Sequence, residues 1–277
     1  MFKKEVIIKN IAQIYSLIIK DLILKFRFKS EFIVENFIPF LSLFFPFIIF
    51  NTLFSLESQF FEGYYSIDNY ILFLLLGYCV ECSIFLLWYY QELFYDEKIW
   101  KTLNGLMIAP IKKVNVLFGF LISGLITRSF SIILTIIICY FLYPIPFYTL
   151  IIVIVILLAI AITFASMGFI IGLFEIVNEN ISASLSVGIS FIAIVSCLFY
   201  PIEIFPESVH PFIKLNPLYY YFDLLRLSWW AGIEFREAMS YITIIHVLVV
   251  IIFTIIMPII ASLFFLKIYT KYGVSGY

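Results

Sequence analysis

Glu35, Glu81 and Arg128 are ionisable residues placed in runs apolar enough to lie inside a membrane. An unpaired charge at that depth costs several kcal/mol, so each needs a partner or a route to the surface. Glu81 stands roughly ten residues before the end of one apolar run, and Arg128 roughly fourteen after the start of the next. If the two runs are antiparallel helices, the groups lie at comparable depth, and a direct or water-bridged Glu81–Arg128 pair is expected. Such a pair either lines a pathway or locks two helices together. Glu35 is close enough to the end of its run to snorkel to the surface.

The remaining reactive residues make no catalytic set. Cys79, Cys82, Cys139 and Cys197 all fall in apolar runs and read as small packing residues. His210 and His246 lack carboxylate or cysteine partners at ligand spacing, so neither is assigned to a metal, and no cofactor is expected. The chain has no phosphate-cradling GxxxxGK[ST], no HExxH and no GxSxG. The expectation is a protein with no enzyme activity of its own, and nothing points to a nucleic acid. A nucleotide-driven machine built on this chain would carry its ATP site on another polypeptide.

These residues must be positioned by membrane helices. With 64% hydrophobic and 13% charged residues, the composition excludes a soluble domain and places the chain among polytopic membrane proteins. Residues 1–31 read as an N-terminal amphipathic interfacial helix. Lys9, Gln13, Ser16, Lys20 and Arg27 recur at helical spacing, and Ile7, Ile11, Ile14, Ile18 and Leu22 line the other side. Residues 32–277 read as an all-α domain of six transmembrane helices, near 32–54, 70–90, 114–142, 149–174, 181–200 and 241–266. The third would be about 43 Å long at about 1.5 Å per residue, longer than the hydrocarbon core, and must tilt or project. Residues 201–241 contain Pro201, Pro206, Pro211 and Pro217, which forbid one continuous helix. The apolar segment 218–230 is too short to cross, so a re-entrant helical segment before the last span is expected. Gly168 and Gly172 have the spacing that lets membrane helices approach closely.

One polar segment interrupts this pattern. Residues 91–113, QELFYDEKIWKTLNGLMIAPIKK, lie between two runs of spanning length and offer a soluble partner a place to push. Thirteen Lys and Arg residues fall in the N-terminal segment, this segment and the C-terminal tail, against three in the alternate loops. The positive-inside rule therefore puts both termini and residues 91–113 in the cytoplasm.

Two stretches of this chain resemble the membrane subunits of ATP-binding cassette (ABC) transporters of the type-2 export class. In DEKIWKTLNGLMIAPIKKVNVLFGFLISG, Glu97, Thr102, Leu103, Leu106 and Pro110 fall where that family has an acidic helix followed by a leucine-rich piece and a proline. In YPIEIFPESVHPFIKLNPLYYYFDLLRLSWW, Pro201, Pro206, Asn216, Pro217, Tyr219, Asp223 and Arg226 match its proline loops, Asn-Pro, aromatics, acid and arginine. The chain departs from the pattern at Lys101, where the family often has Gly. The resemblance implies an export permease of the plasma (inner) membrane that pairs with a second permease copy, a homodimer, and binds two cytoplasmic ABC ATPase subunits. It implies that Glu92, Asp96, Glu97, Lys98, Lys101, Thr102, Leu103, Leu106 and Pro110 couple to the ATPase. It also implies that Pro201, Pro206, Asn216, Pro217, Tyr219, Tyr220, Asp223 and Arg226 form an outer gate or substrate path. The tyrosines read equally as an interfacial aromatic belt. The substrate would be an amphiphile: a drug, a lipid or a lipid-linked glycan. A self-contained channel or secondary transporter, and a polytopic lipid-modifying enzyme, are the alternatives.

Overall fold

The computed structural model describes residues 2–42, 44–48, 70–101 and 111–272. All of its regular elements among these residues are helical: α1 (Phe2–Arg27), α2 (Lys29–Ser42), α3 (Tyr70–Ile99), α4 (Lys113–Leu142), α5 (Phe147–Val177) and α6 (Glu179–Val195). After a 3₁₀ turn at Ile202–Ile204 come α7 (His210–Leu215), α8 (Pro217–Trp230), α9 (Phe235–Tyr241) and α10 (Ile244–Tyr272). Among the described residues four helices are long and apolar enough to cross a membrane: Tyr70–Ile99, Val114–Leu142, Phe147–Val177 and Ile244–Ile268. The chain is a membrane protein on that evidence.

The helix expected over 32–54 lies partly outside the described residues, and the loop 55–68 wholly so. The helix expected over 181–200 stops at Val195. It ends there because Cys197 takes a left-handed backbone conformation, φ 65°, which no helix continues through, and Pro201 follows. The Arg226 guanidinium holds this turn, donating to the Cys197 carbonyl at 2.8 Å and to the Leu198 carbonyl.

α3 is the central helix and is buried along most of its length. Its broadest contact is with α5, which runs parallel to it. Gly168 and Gly172 create that contact. A Cβ on Gly168 would stand 2.8 Å from the Leu86 carbonyl oxygen, and one on Gly172 would stand 2.7 Å from that of Tyr90. The expected glycine pair is therefore a packing device. α4 returns antiparallel to α3, and Phe94 meets Phe120 and Phe169 edge-on near the C-terminal end of α3.

α1 follows α4 in parallel. Gln13 meets Asn115, Leu17 lies against Gly119, and Asp21 is joined to Ser123 through Tyr89. The polar and apolar faces of α1 are not the two stripes read from the sequence: of the polar stripe Gln13 and Lys20 bond to the protein while Lys9, Ser16 and Arg27 are exposed, and of the apolar stripe Ile11 is exposed while Ile14, Ile18 and Leu22 are half-buried. Asn10, Gln13, Lys20, Asp21 and Lys25 all bond to partners in the body of the protein. Ile8, Ile11, Tyr15, Ile23 and Phe26 point outward and are 46–64% exposed. An apolar face turned away from the protein is stable only against lipid, so α1 belongs to the membrane layer and shares the inclination of α4.

Candidate functional site

The first candidate site lies where α1, α2, α3 and α4 meet. The polar tail of α3 continues as helix past residue 90 because α1 supplies counter-charges for it. Lys20 is ion-paired with Glu97, which is buried. One turn on, Lys25 bridges two carboxylates, 3.0 Å from Glu35 Oε1 and 3.4 Å from Glu92 Oε2, and its ammonium stands 5.8 Å from the Tyr89 ring. Glu35 in turn accepts from Arg128, Nη2 to Oε2 at 3.1 Å, while Arg128 Nη1 donates to the Glu35 carbonyl at 2.7 Å. Arg128 also packs over Phe85 at 5.4 Å. Two sets of ion pairs thus form a ladder along α1: Lys20 holds Glu97, and Glu92, Lys25, Glu35 and Arg128 alternate in charge from the end of α3 through α1 and α2 to the middle of α4.

This ladder corrects the expected intramembrane pair. The carboxylate found on Arg128 is Glu35, not Glu81, although Glu81 lies on the neighbouring helix α3. Glu35 reaches inward because α2 packs on both α3 and α4 just there. Asn36, the next residue, accepts from Ser131 Oγ at 2.7 Å, and its carbonyl accepts from Tyr78 at 3.3 Å. Snorkelling to the surface is therefore not what Glu35 does.

Beside the ladder lies a cavity of about 150 Å³ lined by Asp21, Lys25, Glu92, Asp96, Glu97 and Trp100. Burial pushes the Asp21 carboxyl up from its ordinary 3.8, with the hydrogen bond to Ser123 and the charges of Lys25 and Lys20 opposing. α3 then terminates on Lys101, whose φ of 57° is left-handed. That conformation is the one in which a helix most often ends, usually on Gly. Of the residues expected to couple to a partner, Glu92, Asp96, Glu97, Lys98 and Lys101 are gathered at this end of α3. Thr102, Leu103, Leu106 and Pro110 lie outside the described residues.

The second candidate site is at the opposite end, where a cavity of about 370 Å³ opens between α8, the start of α10 and the 3₁₀ turn. Pro201, Tyr219, Tyr220, Asp223 and Arg226 line it, joined by Glu203, Lys214 and His246. Arg226 presents little free charge to it, since its guanidinium is occupied by the two carbonyls and lies 3.5 Å over the Phe73 ring. Asn216 and Pro217 do not line this cavity. Asn216 caps α8, accepting from the Leu218 N–H at 3.1 Å and donating to the Ile192 carbonyl at 3.1 Å, and Pro217 opens the helix. Pro206 starts the turn that leads to α7, its carbonyl accepting from the Val209 N–H at 2.8 Å.

His246 was not expected here. Its Nε2 lies 3.0 Å from Asp223 Oδ2, its Nδ1 lies 2.7 Å from Thr243 Oγ1, and its ring stands edge-on to Tyr220. The two residues are far apart in sequence, and only the packing of α8 on α10 makes them partners. His210 has a local role, its Nε2 lying 2.9 Å from the Phe205 carbonyl. Among the described residues no three of His, Cys, Asp and Glu come together in a way that would hold a metal. No protein-family model matches the chain, and no curated protein is similar to it in sequence.

Proposed function

We propose that this chain is the transmembrane permease subunit of an ATP-binding cassette exporter, moving an amphipathic drug, lipid or lipid-linked glycan out of the cytoplasm or inner leaflet. In this reading it spans the inner membrane six times with both termini cytoplasmic, pairs with a second copy and is driven by two separate ATPase subunits. Residues 201–241 then form a re-entrant outer gate, and the 370 Å³ cavity belongs to the substrate path.

The observation that carries the reading is the charged end of α3. Glu92, Asp96 and Glu97 lie in the last turns of α3, and ion pairs of Glu97 with Lys20 and of Glu92 with Lys25, which also holds Glu35 on Arg128, fasten that end to α1, α2 and α4. A push on that end cannot be absorbed locally. It is transmitted to the middle of α4, which is what an ATPase acting from the cytoplasm requires.

The test is affinity purification of the tagged chain from its native membrane in mild detergent. A nucleotide-binding ATPase is expected in equal amount, and Asp96→Lys with Glu97→Lys should remove it while leaving the chain in the membrane. Because Glu97 also pairs with Lys20, the swap Lys20→Glu with Glu97→Lys separates lost docking from lost packing. Recovery of the chain alone, under conditions that preserve other membrane complexes, would overturn the proposal in favour of a self-contained channel.

One observation favours a second reading, a polytopic enzyme acting on a lipid. Asp223, His246 and Thr243 form a carboxylate–imidazole–hydroxyl series facing a cavity. The same contacts also describe a helix cap, because His246 Nδ1 accepts from the Thr243 N–H at 3.3 Å at the start of α10. Turnover of a lipid by the purified chain, abolished by Thr243→Val, would select the enzyme.

A further inference from the structure

A third cavity lies on the membrane-facing side of the molecule. It is a groove of about 550 Å³ between α5 and α10, closed at one end by the last turn of α8 and by α9. Its lining is almost wholly apolar. The hydroxyl of Thr254, one of the few polar groups in it, is already bonded to the Val250 carbonyl at 2.7 Å and to Tyr221 at 2.6 Å. Val155 and Ile251, which line the two walls, are 58% and 50% exposed, so the groove opens sideways. Helices α5 and α10 are both of spanning length and composition, and what meets an apolar groove on their outer side is hydrocarbon.

Its dimensions select the occupant. Along α5 the lining runs from Tyr148 to Ala159, roughly 16 Å at about 1.5 Å per residue. One leaflet of a hydrocarbon core about 30 Å thick offers roughly 15 Å. An alkyl chain extended from the headgroup level to the bilayer midplane matches that length, and the sideways opening admits it from the leaflet.

The closed end carries a charge. Arg236 lies on α9 between Phe235 and Met239, which both line the groove, and no ion pair of Arg236 is found among the described residues. At about 3.6 residues per turn, Arg236 points within roughly 80° of the groove side of α9, while Glu237 points about 180° away from it. Each methylene buried in the groove favours binding, and a phosphate at the rim would complement the guanidinium.

We propose that this groove holds one acyl chain of a phospholipid from the leaflet on the side of the α4–α5 turn, with its phosphate paired to Arg236. On the orientation given above, that is the outer leaflet. The bound lipid wedges α8 and α9 against α5 and α10 and is a built-in component of the fold. The inference needs only that the chain spans a membrane, so it stands or falls independently of the exporter reading.

The test is native mass spectrometry of the full chain, delipidated in mild detergent and titrated with palmitoyl-oleoyl phosphatidylglycerol. One tightly retained lipid per chain is expected. Val155→Trp and Ile251→Trp, which fill the groove at half-exposed positions, should remove it. Ile154→Trp, the adjacent residue outside the groove, should keep it. Arg236→Gln should weaken retention about threefold to fivefold, as for a solvent-facing ion pair. Equal retention by Val155→Trp, Ile251→Trp and the unmodified chain would overturn the site. Loss on filling the groove with no effect of Arg236→Gln would overturn the headgroup assignment.

Discussion

Glu35 serves two cations and Arg128 has one described carboxylate, and this inequality makes a quantitative prediction. Glu35→Leu leaves the Arg128 guanidinium, 5% exposed, with the residue 35 carbonyl as its remaining described acceptor. Removing one member of a buried pair in this way costs about 3–5 kcal/mol. Arg128→Met leaves Glu35 with Lys25 at 3.0 Å, in a position 18% exposed at the side chain, so about 1–2 kcal/mol is expected. The double variant Glu35→Leu with Arg128→Met removes both charges and should cost well below the sum, with a coupling energy of about 2 kcal/mol. The same cycle on Glu81→Leu with Arg128→Met should give a coupling under about 1 kcal/mol. The assay is reversible unfolding in mixed micelles, the detergent titrated and the midpoint and slope followed by near-ultraviolet circular dichroism. A Glu81–Arg128 coupling larger than the Glu35–Arg128 coupling would refute the ladder. An Arg128→Met cost exceeding that of Glu35→Leu would refute the role given to Lys25.

Two further predictions concern the same end of the molecule. Burial raises the Asp21 carboxyl above its ordinary 3.8, so the native state favours the protonated form relative to the unfolded chain. That contribution is complete below about pH 4 and is lost as pH rises through the raised value. Asp21→Asn should therefore flatten the fall in stability on the high-pH side and match or exceed the unmodified chain at pH 7. A steeper fall would show that Lys20 and Lys25 outweigh burial. Lys101 bears a side chain in a left-handed conformation, φ 57°, which costs about 1 kcal/mol relative to Gly. Lys101→Gly should recover about that amount in the same unfolding assay, and a less stable variant would mean that the Lys101 side chain itself makes a contact worth more than the strain.

Helix starts were legible wherever an apolar run began cleanly. α4 begins at Lys113 against an expected 114, and α5 at Phe147 against 149. Ends were less so. α3 was expected to finish near residue 90 because charge begins there, and it runs to Ile99 because Lys20 and Lys25 satisfy that charge from a helix about seventy residues earlier. The candidate sites show the same limit. Residues close in sequence, such as Tyr219, Tyr220, Asp223 and Arg226, were found as a group from their spacing. Asp223 with His246, and Arg128 with Glu35, were not, since a pairing between separate helices depends on packing that periodicity does not encode. For Arg128, depth along a neighbouring helix pointed to Glu81, and that argument left out the third helix, α2, which delivers Glu35 to the same level.

The outward apolar face of α1 has a consequence for biogenesis. The residues that bond to its polar side, Tyr89 and Ser123 among them, leave the ribosome roughly 70 to 100 residues after it. At about 5–20 residues per second that is a wait of about 3–20 s. Lys20 and Asp21 cannot enter hydrocarbon unpaired during it, so α1 rests on the membrane surface with Ile8, Ile11 and Tyr15 downward and its polar side in water. When α3 and α4 insert, they dock on that wetted side, and the side already in lipid stays there. The helix changes partners without turning over, which spares the nascent chain any step in which a charged face must cross an apolar layer.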